Sequence, residues 1–310
     1  MKRILVTGGA GFVGSNLIHK LLKKKENKII CIDNFISSSK INIEKLKKYK
    51  NFIFIKKDIT KKIDLKIDEI YNLASPASPI QYKKHPIETI KTSILGVINI
   101  LELAKKNNAK VLQASTSEVY GDPEINPQHE NYYGNVNTTG PRACYDESKR
   151  CAETLLYNYN KIYKVNTKIV RIFNTYGPNM IVDDGRVVSN FICKALKDKD
   201  LVIYGKGSQT RSFCYVDDTV NGLIKMMKAN YNNPVNIGNP NEITINKLAE
   251  IIIRLTNSKS KIIFKPLVDE NDPKKRCPNI KLAKKVLKWR PKIELKKGLQ
   301  RTINYFNNIN

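Results

Sequence analysis

The chain has 310 residues, 41% of them hydrophobic, enough to bury one large domain or two moderate ones. Lysine and arginine number 55 against 28 acidic residues, a formal charge of +27 at pH 7. The lysines come as pairs along the whole chain (Lys23 and Lys24, Lys61 and Lys62, Lys105 and Lys106), with no basic tail and no aromatic-interleaved stripe, so solvated faces are expected and no nucleic-acid partner. No apolar run approaches the roughly 20 residues of a membrane span. Met1-Lys2-Arg3-Ile4 leads straight into a strand with no room for a cleavable leader, so the expectation is a cytoplasmic protein with no membrane partner. Six scattered cysteines and three histidines (His19, His85, His129) lack ligand spacing, which predicts free thiols and no metal.

In chain order, β-branched runs at 4–6, 29–32, 52–55, 69–73 and 110–113 read as buried strands, separated in part by helices beginning near Phe12, Ile87 and Cys144; 167–173 reads as another strand. This alternation predicts an α/β fold with a doubly wound parallel sheet. Beyond about Tyr176 the pieces shorten, with helices over 188–197, 219–228, 245–255 and 280–287. The expected layout is a Rossmann dinucleotide-binding domain over 1–175 carrying the catalytic residues, and a smaller substrate domain over 176–310, partly interleaved with it. The helix over 89–106 carries Ile90, Ile94, Leu95, Val97, Ile98, Leu101 and Leu103, an arc wider than one core face needs. Paired with the helix bearing Tyr145, it predicts a homodimer contact; the plainer alternative is burial within its own domain.

The stretch Gly8-Gly9-Ala10-Gly11-Phe12-Val13-Gly14 follows a strand and opens a helix. Gly8 permits the tight turn, Gly11 lets backbone approach a pyrophosphate at the helix N-terminus, and Gly14 allows the helix to pack closely on the sheet. Asp33 ends the second strand, where a carboxylate holds ribose hydroxyls, and no arginine follows within 34–39 to meet a 2′-phosphate. NAD is therefore expected rather than NADP, with Asn34 beside Asp33 and Asp58 and Ile59 at the adenine edge.

Tyr145 and Lys149 stand four apart and share a helix face. A lysine there can lower a phenol pKa, so the tyrosine can take a hydroxyl proton as hydride leaves. Upstream, Thr116-Ser117-Glu118-Val119-Tyr120-Gly121 lies at the carboxyl end of a strand, where the sites of open α/β sheets collect. With the glycine turn, this set resembles the extended short-chain dehydrogenase/reductases. Longer segments resemble, more narrowly, the UDP-glucuronate decarboxylases: Asn72-Leu73-Ala74-Ser75-Pro76-Ala77-Ser78-Pro79, Gly140-Pro141-Arg142-Ala143-Cys144-Tyr145-Asp146-Glu147, Arg171-Ile172-Phe173-Asn174-Thr175-Tyr176, Asp184-Gly185-Arg186-Val187-Val188, Tyr204-Gly205-Lys206-Gly207-Ser208-Gln209-Thr210-Arg211 and Arg276-Cys277-Pro278.

That resemblance implies Tyr145 as the base that oxidises carbon 4, Lys149 as its tuner and ribose grip, and Thr116 as a second hydrogen bond to the same hydroxyl. Glu118 and Arg276 then face the sugar ring and its carboxylate. Leu73 and Thr92 join the cofactor site; Ser75, Pro76, Ser78, Tyr82, Asn174, Arg186, Val188, Tyr204 and Arg211 join the UDP-sugar site. The implied substrate is UDP-glucuronate. Oxidation at carbon 4 makes a β-keto acid, carbon dioxide leaves, and re-reduction gives UDP-xylose with NAD regenerated. Three departures from the family pattern stand out: Asn279 in place of Asp, Ser37-Ser38-Ser39 beside Asp33, and Thr138-Thr139 in a loop that commonly contains proline. Four other readings compete. A 4,6-dehydratase takes its acid from an Asp where Ser117 stands, and a UDP-sugar 4-epimerase needs room that Glu118 and 75–79 restrict. An oxidative decarboxylase differs only by releasing NADH with a 4-keto-pentose. A non-catalytic NAD-sensing or nucleic-acid-binding module has no need of Tyr145, Lys149 and Glu118 together.

Overall fold

Ile4, Leu5 and Val6 are all buried, so strand β1 (Lys2–Thr7) has no solvent face, the condition of a parallel strand covered by helices on both sides. The computed structural model describes residues 1–182, 185–266 and 275–309; Asp184 of the sequence motif lies outside them. From β1 the chain runs through α1 (Phe12–Leu22), β2 (Asn27–Asp33), α2 (Lys40–Glu44), β3 (Phe52–Lys56) and β4 (Glu69–Asn72). Helices α3 (Pro79–Lys84), α4 (Pro86–Lys91) and α5 (Val97–Asn107) lead to β5 (Lys110–Thr116), then α6 (Ala143–Tyr163) and β6 (Thr167–Ile172). The remainder comprises β7 (Thr175–Tyr176), α7 (Val187–Ala195), β8 (Leu201–Tyr204), β9 (Thr210–Ser212), β10 (Cys214–Tyr215), α8 (Val216–Lys228), β11 (Val235–Ile237), β12 (Glu242–Thr244), α9 (Ile245–Thr256), β13 (Ile262–Lys265), α10 (Lys281–Leu287) and α11 (Leu295–Asn307).

The seven-stranded sheet has the order β11-β6-β5-β4-β1-β2-β3, every pair parallel. Alternation in β1 splits the core. Leu5 joins Ile32, Ile70, Val97, Leu101 and Leu156 under α5 and α6, while Ile4 and Val6 join Leu17, Ile18, Leu223 and Met227 under α1 and α8. The second cluster continues unbroken to Trp289, Leu299 and Phe306 near the C-terminus. The chain leaves the sheet after β6 and returns to it, since α8 packs on α1 and β11 pairs with β6. Strand order reverses between β1 and β4, and ligand clefts of such sheets open at that switch point.

One element differs from its sequence-based expectation. The helix over 89–106 is not continuous: α4 and α5 are joined by a π-helical turn, Thr92–Gly96. A β-carbon on Gly96 would come 2.6 Å from Ile59 Cδ1, so the wide turn lets the backbone sit directly on Ile59. Leu95 of the expected apolar arc is 49% exposed, while Val97, Leu101 and Leu103 are buried in the chain's own core.

Candidate active site

The switch point carries a cleft lined by Gly8, Gly11, Phe12, Val13, Gly14, Asp33, Asn34, Asp58, Ile59, Leu73 and Thr92, together with Ser75, Pro76, Ser78 and Arg186. The glycines are required sterically. Gly8 has φ +65°, and a β-carbon there would lie 2.7 Å from the backbone of Leu73 and Ala74; one on Gly14 would lie 2.3 Å from the Gly8 carbonyl oxygen. Backbone amides at the start of α1 thus face the cleft without side chains in the way.

Asp33 is buried, and its carboxylate accepts three hydrogen bonds, from the Ala10 amide (3.0 Å), the Phe35 amide (2.8 Å) and the Ser38 hydroxyl (2.7 Å). A carboxylate has about four acceptor positions, which leaves capacity for a ribose hydroxyl. Ser38 therefore supports Asp33 where the family pattern has another turn. Burial alone would raise Asp58, but hydrogen bonds from Thr60 and Asn34 hold it below the usual carboxylate range.

Beside the cleft, α6 presents Tyr145 and Lys149, both buried. Burial and the charge of Glu118 push the Tyr145 phenol up, while a hydrogen bond from Thr116 and the charge of Arg186 pull it back. Lys149 donates to the Ala114 carbonyl (2.9 Å), its ammonium 5.7 Å from the centroid of the Tyr145 ring. Burial lowers that ammonium to about 8, against the opposing charge of Glu153. Tyr82 stacks on Tyr145, centroids 5.1 Å apart, and its buried hydroxyl has no hydrogen-bond partner among the described residues.

Thr116 ends β5 and accepts from the Glu118 amide (3.2 Å), capping a single helical turn, Ser117–Tyr120, that turns Glu118 toward two arginines. Arg276 grips it with both arms, Nη1 to Oε1 at 2.6 Å and Nη2 to Oε2 at 2.9 Å, and Arg142 binds the same Oε2. Arg276 is thus held by Glu118, and the Asn279 side chain is instead turned back to accept from the Lys281 amide (3.0 Å). Asp146 follows Tyr145 on the helix, its Oδ2 3.8 Å from Arg142 Nε and its Oδ1 without a hydrogen-bond partner among the described residues. Burial and Glu118 push its carboxyl up to about 7, against the pull of Arg142 and Arg276.

Contacts thus gather Tyr145, Thr116, Glu118, Arg276 and Tyr82 into one cluster and place Lys149 beside it. Asn174, Val188, Tyr204 and Arg211 lie outside the lining of the cleft, Asn174 between β6 and β7 and the others on α7, β8 and β9. Val188 is buried in the core, leaving its main chain at the first turn of α7; Tyr204 is exposed at the end of β8; and Arg211 donates to the Thr210 carbonyl. Sequence reasoning passed over Arg142 and Asp146 as functional residues. Both flank Tyr145 inside a segment already singled out, and two charges beside a candidate base were the available signal.

The parallel sheet, the glycine turn and the Tyr145–Lys149 pair define the class of the extended short-chain dehydrogenase/reductases. Over residues 5–302 the chain matches the model of the GDP-mannose 4,6 dehydratase family. It is 50% identical over 299 residues to UDP-glucuronic acid decarboxylase 3 of Arabidopsis thaliana, covering 96% of this chain and 86% of that protein. To UDP-glucuronic acid decarboxylase 1 of Danio rerio it is 51% identical over 306 residues, 99% and 73% of the two chains. A solved structure of UDP-glucuronic acid 4-epimerase from Bacillus cereus, in complex with UDP-glucuronic acid and NAD, matches with a TM-score of 0.90 at 29% identity, covering 99% and 100%. Within the extended class, this chain belongs to the family of the UDP-glucuronic acid decarboxylases.

Proposed function

We propose that the enzyme converts UDP-glucuronate to UDP-xylose and carbon dioxide, retaining NAD through the cycle. The observation that carries this reading is the arginine fork. Arg276 is fixed bidentately by the Glu118 carboxylate within the Tyr145 cluster, which uses two of the roughly five N–H donors of a guanidinium and leaves the others to meet a sugar carboxylate.

The cleft fits a dinucleotide: the glycine turn and α1 amides suit its pyrophosphate, Asp33 its adenosine ribose, and Asp58 with Ile59 its adenine. When bound, NAD supplies a reversible hydride acceptor at carbon 4 of the sugar. The chain's own residues do the rest. Tyr145 takes the proton of the carbon 4 hydroxyl, and Thr116 hydrogen-bonds the same oxygen. Once carbon 4 is a ketone, the bond from carbon 5 to the carboxyl carbon breaks and its electron pair moves toward the carbon 4 oxygen. Tyr145 and Thr116 stabilise the charge arriving there. Arg276 orients the departing carboxylate. A proton from solvent added at carbon 5 and the hydride restored at carbon 4, with the Tyr145 proton returned to oxygen, complete the pentose.

The test is incubation with UDP-glucuronate while product mass and NADH absorbance are followed. Loss of carbon dioxide without lasting NADH supports the reading. Stoichiometric NADH with a keto-pentose replaces it by oxidative decarboxylation, and an isomer of unchanged mass replaces it by epimerisation. Tyr145→Phe is expected to lower turnover at least about 100-fold; near-full turnover would remove Tyr145 from the role of base.

We also propose a homodimer through the outer side of the helix pair formed by 86–107 and α6, where Ile87 of α4, Leu95 of the π-helical turn, and Tyr157 and Ile162 of α6 are exposed. Light scattering at micromolar concentration is expected to give twice the 35.4 kDa chain mass.

A further inference from the structure

Arg276 lies in neither a helix nor a strand, so something outside regular secondary structure must aim its fork. The residue that holds the turn directly after it is Gln128, 1% exposed. The Gln128 amide donates to the Cys277 carbonyl (2.8 Å), the Asn279 amide donates to the Gln128 carbonyl (2.7 Å), and the Cys277 amide donates to Gln128 Oε1 (2.9 Å). Gln128 is itself fixed. Its Nε2 donates to the Ile125 carbonyl (2.7 Å), and its carbonyl accepts from Asn236 Nδ2 (3.1 Å) on β11. Asn236 Oδ1 accepts from the Tyr120 hydroxyl (2.8 Å), which accepts from Arg171 (3.0 Å), and Arg171 is paired with Glu153 on α6. A buried polar chain therefore ties the turn after Arg276 to the sheet and to the helix bearing Tyr145 and Lys149.

We propose that Gln128 is a positioning residue for Arg276, fixing its register against Glu118 and so setting the affinity for the sugar carboxylate. This rests on the reading of Arg276 as the carboxylate fork. A bidentate pair tolerates little displacement. The Ser212 hydroxyl reaches the Arg276 carbonyl only at 3.4 Å, so the 2.9 Å bond from the adjacent Cys277 amide to Gln128 is the stronger side-chain hold on this backbone.

The test measures binding of UDP-glucuronate and of UDP-glucose, which lacks the carboxylate, to the NAD-loaded enzyme by calorimetry, together with kcat and KM. Gln128→Met is expected to weaken UDP-glucuronate about tenfold and to leave UDP-glucose unchanged. Should Gln128→Met not fold, Gln128→Asn, one methylene short of that amide, carries the same expectation. Equal weakening of both ligands, or of neither, overturns the positioning role. Arg276→Ala separates the two readings. If it abolishes the preference for UDP-glucuronate while the Gln128 variants keep it, only the positioning role falls; if it keeps the preference, the reading of Arg276 as the fork falls.

Discussion

Lys149 and Asp146 sit one turn apart on α6, and burial moves their pKa values in opposite senses. Lys149 is held near 8, below its unfolded value, so its charged form costs stability at neutral pH, and that cost fades as pH rises from about 8 toward the unfolded value near 10.4. Compared by thermal melting, Lys149→Met is therefore expected to look best relative to the parent near pH 7 and to lose ground by about pH 9.5, while activity falls by two orders of magnitude or more. A melting difference that does not change with pH would mean that Lys149 does not carry a strained buried charge. Asp146 runs the other way. Its folded value is raised to about 7, so the stability it contributes is present below the unfolded carboxylate range and lost as pH climbs through about 7. The permanently neutral Asp146→Asn should gain on the parent between about pH 5 and pH 8, and a constant gap between their melting curves would count against the raised value.

Among the elements, β1 to β6 were legible as short β-branched or aromatic runs, since strands covered on both faces must be apolar; β3, expected as a buried strand, is instead the sheet edge and leaves Ile53 exposed. β11 was not legible, since three residues with Asn236 at the centre show no periodicity. Its place in the sheet comes from burial and from Asn236, whose donors and acceptors are all met by partners distant in sequence. The pairing of β8 with β13 and the π-helical turn at Thr92–Gly96 were equally invisible, both depending on contacts between distant segments. The site divides the same way. The glycine turn, Asp33, Tyr145 and Lys149 are defined by spacing along the chain, whereas Gln128, Arg142 and Asp146 matter through what folding brings beside them. Asn236 offers a direct measure of that second kind of information. Asn236→Ala leaves the Tyr120 hydroxyl and the Gln128 carbonyl short of a partner in the interior, and urea unfolding should register a loss of about 2–4 kcal/mol. A loss within error would mean that the network adds nothing to stability.

At the scale of the whole molecule, the charge of +27 acts on every ligand that approaches. UDP-glucuronate carries a diphosphate and a carboxylate, so it is drawn in at long range, and the strength of that attraction is set by salt. Screening lengths shrink from about 30 Å at 0.01 M to about 8 Å at physiological ionic strength, which removes most of the field beyond the rim of the cleft. KM for UDP-glucuronate should therefore rise steadily between about 0.01 and 0.3 M sodium chloride, whereas binding of uncharged uridine should change little. The same screening relieves repulsion among the lysines, so the melting temperature should rise over the range in which KM worsens. Opposite salt responses of affinity and stability are what a uniformly basic surface with an anionic substrate demands. A KM that is flat with salt, beside a melting temperature that still rises, would assign the lysines to solvation alone and give them no part in capturing substrate.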